Sequence, residues 1–201
     1  LGLGGELAQV ADALAQHAEV IAPSHPGFGR SAVPAEMTSV DDLSYYYLDL
    51  LDEFDLKGVT LVGASFGGWI AAAMAVKNVS RIASLVLLDG LGVKVDNERV
   101  SALVDIFATP RPKLEQMYFH DAAFARRGIP EMSDEDRALI ARNWEASARY
   151  AWNPYMCDLK LRGRLHRVRV PSLVLWGAQD VIAPVAYGRA YAQSLPDAQF
   201  E

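Results

Sequence analysis

Apolar positions along the chain fall into two alternating spacings. From Leu7 through Val10, Leu14 and Ala15 they recur at helical intervals, and a short β-rich run, Val20-Ile21-Ala22, then meets Pro23. This predicts a helix followed by a buried strand. Pro26-Gly27-Phe28-Gly29 reads as a loop. Ser39 with Asp42 three residues on has the spacing of a capping box, and it opens a predicted helix carrying Leu43, Tyr46, Tyr47, Leu50 and Leu51. Val59-Thr60-Leu61-Val62 is the next strand, Gly63 to Ser65 a turn, and Trp69 to Val76 an alanine-rich helix. Leu85-Val86-Leu87-Leu88, closed by Asp89-Gly90, is another strand. Strands that alternate with helices and are apolar on both sides predict an α/β fold, a mostly parallel sheet with helices on both faces.

From about Leu91 to Arg169 the alternation stops. This segment carries helical patterns, Pro110, Pro112, Pro130 and Pro154, and most of the remaining aromatics, and it predicts an inserted helical lid. Ser133 with Asp136 is a second capping box, opening a helix through Leu139, Ile140, Trp144 and Ala148. Pro171 then leads into Leu173-Val174-Leu175-Trp176, a helix around Tyr187 to Leu195 follows, and Ala198-Gln199-Phe200 begins one more strand. The predicted division is core 1–90, lid 91–169, core 170–201.

Composition narrows the function. The 201 residues are 51% hydrophobic, enough for a sizeable core, and the net charge of −6 with scattered cations gives no footprint for nucleic acid. A modest basic cluster between Lys160 and Arg169 is the exception. The single cysteine, Cys157, can form neither an internal disulfide nor a zinc site, which suits a reducing cytoplasm. No apolar run approaches the ~20 residues of a membrane-spanning helix, so no membrane partner is expected. The chain opens on Leu1 rather than Met.

Ser65 carries the chemistry. It stands where a buried strand turns directly into a helix, in the run Gly63-Ala64-Ser65-Phe66-Gly67, which has the pattern of a nucleophile elbow. A strained backbone and a close approach of strand and helix call for glycines, and larger side chains at Gly63 and Gly67 are expected to clash. The helix N-terminus aims amides at the reaction centre, so the Phe66 N–H is the expected oxyanion donor. A glycine turn with an incidental serine is the competing reading.

These residues resemble the α/β-hydrolase superfamily, within it the lidded branch of meta-cleavage-product hydrolases and related esterases. The resemblance also rests on Val20-Ile21-Ala22-Pro23 with Pro26-Gly27-Phe28-Gly29-Arg30-Ser31, and on Val170-Pro171, Leu173 to Gly177, Asp180 and Pro184. It implies Asp180 as the acid of a catalytic triad, against an alternative in which Asp180 caps the following helix. Asp89, also at a strand end, is the competing acid, and its simpler reading is a turn residue. Serine at position 65 disfavours dehalogenase and epoxide-hydrolase chemistry, in which the resembling families use aspartate. The second oxyanion donor is expected near Gly2 or Leu3, with Leu1 where a histidine is common.

The resemblance also calls for a histidine after the strand that follows Asp180. His17, His25, His120 and His166 do not fit that place, although His25 and His120 are candidates to face a pocket. Both ends of the family pattern are therefore expected to lie outside this sequence. Trp144 and Trp152, with other lid aromatics, are candidates to line an apolar pocket, and more often such residues tie a lid to its core. Arg142 and Arg149 are candidates for an anionic substrate. The expected activity is hydrolysis of an ester or an activated carbon–carbon bond in a small, largely apolar carbonyl substrate, without cofactor or metal. Homodimer formation is compatible with the sequence. The alternatives are a non-catalytic ligand receptor on the same fold and a cofactor-free lyase or perhydrolase.

Overall fold

The computed structural model describes residues 5–95, 103–121 and 133–201, with side chains from residue 9 onward. Leu3 and Pro130 therefore lie outside the described residues. Contacts divide the chain into two compact units, one drawn from residues 1–38 and 129–150 and the other from 39–128 and 151–201. The helix-rich segment 91–169 contributes to both.

The first unit holds helix α1 (Gly5–Ala15), the loop that follows it, and most of a long helix spanning Asp134–Ala151. Its loop is clamped to that helix by named bonds. The Gly29 N–H donates to Asn143 Oδ1 at 2.8 Å, Arg142 Nη2 donates to Ser31 O at 2.6 Å, and the Tyr150 hydroxyl donates to Pro26 O at 3.1 Å. Phe28, 3% exposed, stacks on Tyr150 with centroids 6.4 Å apart. The second capping box opens this helix, with the Asp136 N–H donating to Ser133 Oγ at 3.1 Å. One expectation fails here. Val20, Ile21 and Ala22 form no strand, and Val20 and Ile21 are 37% and 51% exposed. A β-rich run becomes a strand only when a neighbour completes its hydrogen-bond ladder, and among the described residues this run pairs with none.

The second unit is built on a four-stranded parallel sheet. Its strands are β1 (Val59–Ala64), β2 (Ile82–Leu88), β5 (Ser172–Leu175) and β6 (Ala198–Phe200), in the order β1-β2-β5-β6. Helix α2 (Val40–Glu53) enters through the first capping box, where the Asp42 N–H donates to Ser39 Oγ at 3.1 Å and the Ser39 N–H to Asp42 Oδ2 at 2.8 Å. Helix α3 (Phe66–Lys77) packs on β1, β2 and α2 and is buried from Gly68 to Val76. Its alanines at 71, 72, 73 and 75 let it sit close to the sheet. Beneath it Leu85, Leu87 and Val174 are fully buried. The alternate residues of β1 face outward: Thr60 is exposed and Val62 is 45% exposed.

A two-stranded sheet pairs β3 (Gly92–Val93) with β4 (Cys157–Asp158). Helix α4 spans Arg111–Met117; the long helix of the first unit is α5 (Asp134–Ala151), and α6 is Leu161–Arg164. Helix α7 (Val185–Ala192) packs on β5 and β6. Its Tyr187 hydroxyl donates to Val93 O at 2.8 Å and accepts from the Val93 N–H at 3.0 Å, tying α7 to β3. The basic cluster is likewise absorbed by the fold, since Arg162 Nη1 donates to Val95 O and Arg167 Nε to Val76 O. Among the described residues no helix is long and apolar enough to cross a membrane.

Candidate active site

Ser65 sits between the end of β1 and the first residue of α3, with φ of 49° and ψ of −115°. A non-glycine residue with positive φ costs on the order of 1–3 kcal/mol and persists only when its surroundings over-determine it. Here three backbone bonds do so. The Ser65 N–H donates to Leu88 O at 2.9 Å, and Ser65 O accepts from the Gly68 and Leu91 N–H groups, each at 3.0 Å. The serine is thus fixed to β2, to its own helix and to the turn after β2. Its side chain makes no helix-cap hydrogen bond and is exposed.

Close backbone approach explains two of the neighbouring glycines. A Cβ at Gly63 would stand 2.4 Å from Gly67 O, and one at Gly68 would stand 2.7 Å from Gly90 Cα. Gly67 is different. A Cβ there meets nothing within 4 Å, so the expected clash at position 67 is corrected: the backbone of Gly67 is the obstacle for residue 63, and its own side-chain position is open. Phe66 is the first residue of α3, so its N–H lies outside the helix's own ladder and belongs to the helix N-terminus. Leu3, the other expected donor, lies outside the described residues.

Asp180 follows β5 in a turn opened by the Asp180 N–H donating to Gly177 O at 3.0 Å. Its Oδ1 accepts from the Ile182 N–H at 2.7 Å and the Ala183 N–H at 3.0 Å. These bonds are the capping geometry of the competing reading, and they engage Oδ1 alone. Asp89 is close by. Its Oδ1 accepts the Gly177 N–H at 2.8 Å, its φ is 46°, and burial, with the Asp180 charge adding to it, raises its carboxyl above the usual range.

The other candidates do not gather in one unit. His25 and Trp144 lie in the first unit, His120 and Trp152 in the second. His25 packs edge-on against Phe28 at 5.6 Å, and burial lowers its pKa to about 4. His17, His120 and His166 are exposed. Trp152 is 59% exposed and leans on Phe107, while Tyr155 donates to Val104 O and accepts from the Ile106 N–H. These aromatics serve as ties. Arg142 is spent on the carbonyls of Ser31 and Gly27, so it is a clamp rather than a substrate cation. Among the described residues no cluster of three or more His, Cys, Asp or Glu could hold a metal ion.

A parallel sheet, a serine on a strained strand-to-helix turn and a carboxylate after a later strand define a fold of the α/β-hydrolase class. The family model described as the alpha/beta hydrolase fold matches residues 2–148, and the chain belongs to that family. It is 30% identical over 197 residues, 94% of this chain and 52% of the relative, to a dihydrolipoyllysine-residue acetyltransferase component of an acetoin cleaving system from Pseudomonas putida. A 2-hydroxy-6-oxononadienedioate/2-hydroxy-6-oxononatrienedioate hydrolase from Cupriavidus pinatubonensis is 26% identical over 186 residues, 87% of this chain and 64% of the relative. A pimeloyl-[acyl-carrier protein] methyl ester esterase from Chromobacterium violaceum is 30% identical over 206 residues, 97% of this chain and 78% of the relative. The chain thus spans roughly half to two thirds of the length of the first two. Among solved structures, a meta-cleavage product hydrolase from Pseudomonas fluorescens has the same fold with a TM-score of 0.71 at 19% identity, covering 98% of this chain and 75% of the other.

Proposed function

We propose that the full-length protein is a serine hydrolase that cleaves an ester or an activated carbon–carbon bond in a small, largely apolar carbonyl substrate through an acyl-enzyme. The observation that carries the reading is Ser65 at φ 49°, held by three backbone bonds with an exposed hydroxyl at the head of α3. Strain of this kind, with no packing use for the hydroxyl, is what a presented nucleophile requires. Ser65 Oγ attacks the carbonyl carbon, the developing oxyanion is met by the Phe66 N–H, and the leaving group departs with a proton. Water then attacks the acyl carbon and frees Ser65. The proton acceptor in this scheme is a histidine oriented by Asp180, as the family's order of serine, acid and histidine implies.

The relatives support both bond types: one is named a hydrolase of 2-hydroxy-6-oxo dienedioates and another a methyl ester esterase. Neither reaction needs a cofactor. A fluorophosphonate probe applied to the full-length gene product should label Ser65 covalently, and Ser65→Ala should abolish labelling without lowering the melting temperature by more than ~2 °C. Absence of labelling in a protein that contains the downstream histidine would sink the proposal in favour of a non-catalytic receptor.

A further inference from the structure

Asp89 lies just past β2, where its φ of 46° takes the chain out of the strand. In a regular parallel ladder one residue donates its N–H to one residue of the neighbouring strand and accepts, through its own carbonyl, from the residue two further on. The first half of this pattern holds at Asp89, whose N–H donates to Leu175 O at 3.0 Å. The second half is made by the side chain. The Gly177 N–H donates to Asp89 Oδ1 at 2.8 Å, where a regular ladder would use the main-chain carbonyl.

Gly177 is also the first residue of the turn that carries Asp180. Its carbonyl accepts the Asp180 N–H at 3.0 Å, and Asp180 Oδ1 is held in turn by the amides of Ile182 and Ala183. One carboxylate thus anchors the turn from which another is aimed. The two groups are near neighbours, since a Cβ on Gly177 would lie 3.7 Å both from Asp89 Oδ1 and from Asp180 Cβ. At Asp89 burial, and after it the Asp180 charge, works against the ionised carboxylate, and the Gly177 bond offsets part of that. A plain turn residue at this point would not need to supply an acceptor to an amide 88 residues away.

We propose that Asp89 is a positioning residue for the triad acid, its carboxylate supplying the last rung between β2 and β5 and so fixing the Gly177–Asp180 turn. The inference rests on the serine-hydrolase reading of Ser65 and Asp180. Asparagine at 89 keeps an acceptor oxygen and tolerates positive φ, whereas glycine tolerates that φ without any acceptor, so the two variants separate the rung from backbone strain. In the full-length protein Asp89→Asn should keep kcat within about 3-fold and leave the Gly177 amide protected from hydrogen exchange. Asp89→Gly should speed exchange at Gly177 by at least about 10-fold and lower kcat by about 10- to 100-fold, the range expected for a misplaced catalytic group, with KM within about 3-fold.

Asp89→Ser, whose oxygen is one atom short of the rung, gives the same contrast if the glycine variant does not fold. The proposal is overturned if Asp89→Asn loses as much kcat as Asp89→Gly while Gly177 stays protected, since the charge at 89 then matters and the rung does not. It is overturned equally by an Asp89→Gly protein with wild-type kcat and a freely exchanging Gly177. Failure of Ser65 to label in the wild-type protein refutes the hydrolase reading and this proposal with it. That case is recognised by an intact, protected Gly177 amide in a protein without activity.

Discussion

Replacing Gly63 and Gly67 by alanine, one at a time, separates the two glycines that flank Ser65. A methyl group at 63 would lie 2.4 Å from Gly67 O, 2.6 Å from Gly67 C and 2.7 Å from Gly68 Cα, all of them backbone atoms at the start of α3. Carbon contacts are comfortable near 3.5 Å, so the helix start must move by about 1 Å. Overpacking costs about 1–3 kcal/mol when side chains can give way, and here the obstacle is main chain, so about 3 kcal/mol is expected. For a domain of this size that is a fall of about 6–12 °C in melting temperature. At position 67 a methyl group meets nothing within 4 Å and replaces a helical glycine, which stabilises by up to ~1 kcal/mol. The assay is thermal unfolding of the full-length wild-type protein and both variants, followed by circular dichroism. Shifts of the same sign and similar size at 63 and 67 would refute the reasoning, because both substitutions change glycine to alanine and only the contacts differ.

Three further outcomes follow from single contacts. Tyr187→Phe strips the Val93 N–H and C=O of their shared partner in a buried site and should cost about 2 kcal/mol in urea unfolding. Tyr191→Phe should be neutral or stabilise by up to ~1 kcal/mol, because the Tyr191 hydroxyl is buried and unpartnered among the described residues. A loss as large as that of Tyr187→Phe would contradict this. His25 has a folded-state pKa lowered by burial to about 4 from 6.5, so the neutral ring is favoured by folding. Its contribution is present above pH ~6.5 and is lost as the pH falls towards ~4, by about 2–3 kcal/mol. Unfolding free energies between pH 7 and 4.5 should fall less steeply in His25→Gln than in the wild-type protein, and an unchanged slope would rule out His25 as the source.

Features set by neighbours in sequence were legible before the fold was known. The capping boxes at Ser39 and Ser133 involve partners three residues apart, and the turn at Ser65 joins a strand and helix that are contiguous in the chain. Features set by distant partners were not. Val20-Ile21-Ala22 has the composition of a strand, but composition cannot supply the neighbour that a ladder needs. Gly63 and Gly67 look equivalent in the motif, and only the course of α3 over residue 63 tells them apart. Arg142 has the chemistry of an anion ligand, and two carbonyls more than 100 residues away claim it instead. Asp89 reads as a turn residue in sequence, and its bond to Gly177, 88 residues on, is visible only in three dimensions.

Among the described residues, the strand that leads into Ser65 pairs with β2 alone. Val59 and Ser65 direct their amides at β2, so by the two-residue period of a strand Thr60, Val62 and Ala64 direct theirs away from it, along an edge with β-forming and partly exposed residues. Such an edge is a template for any other extended chain, including another copy. Where no further strand of the full-length protein covers that edge, loss of soluble protein at high concentration would arise from well-folded molecules joining edge to edge, and it would steepen with concentration rather than with temperature. Purification at low concentration, or a lysine on the exposed Val62 side chain, addresses that route, whereas a stabilising core substitution does not.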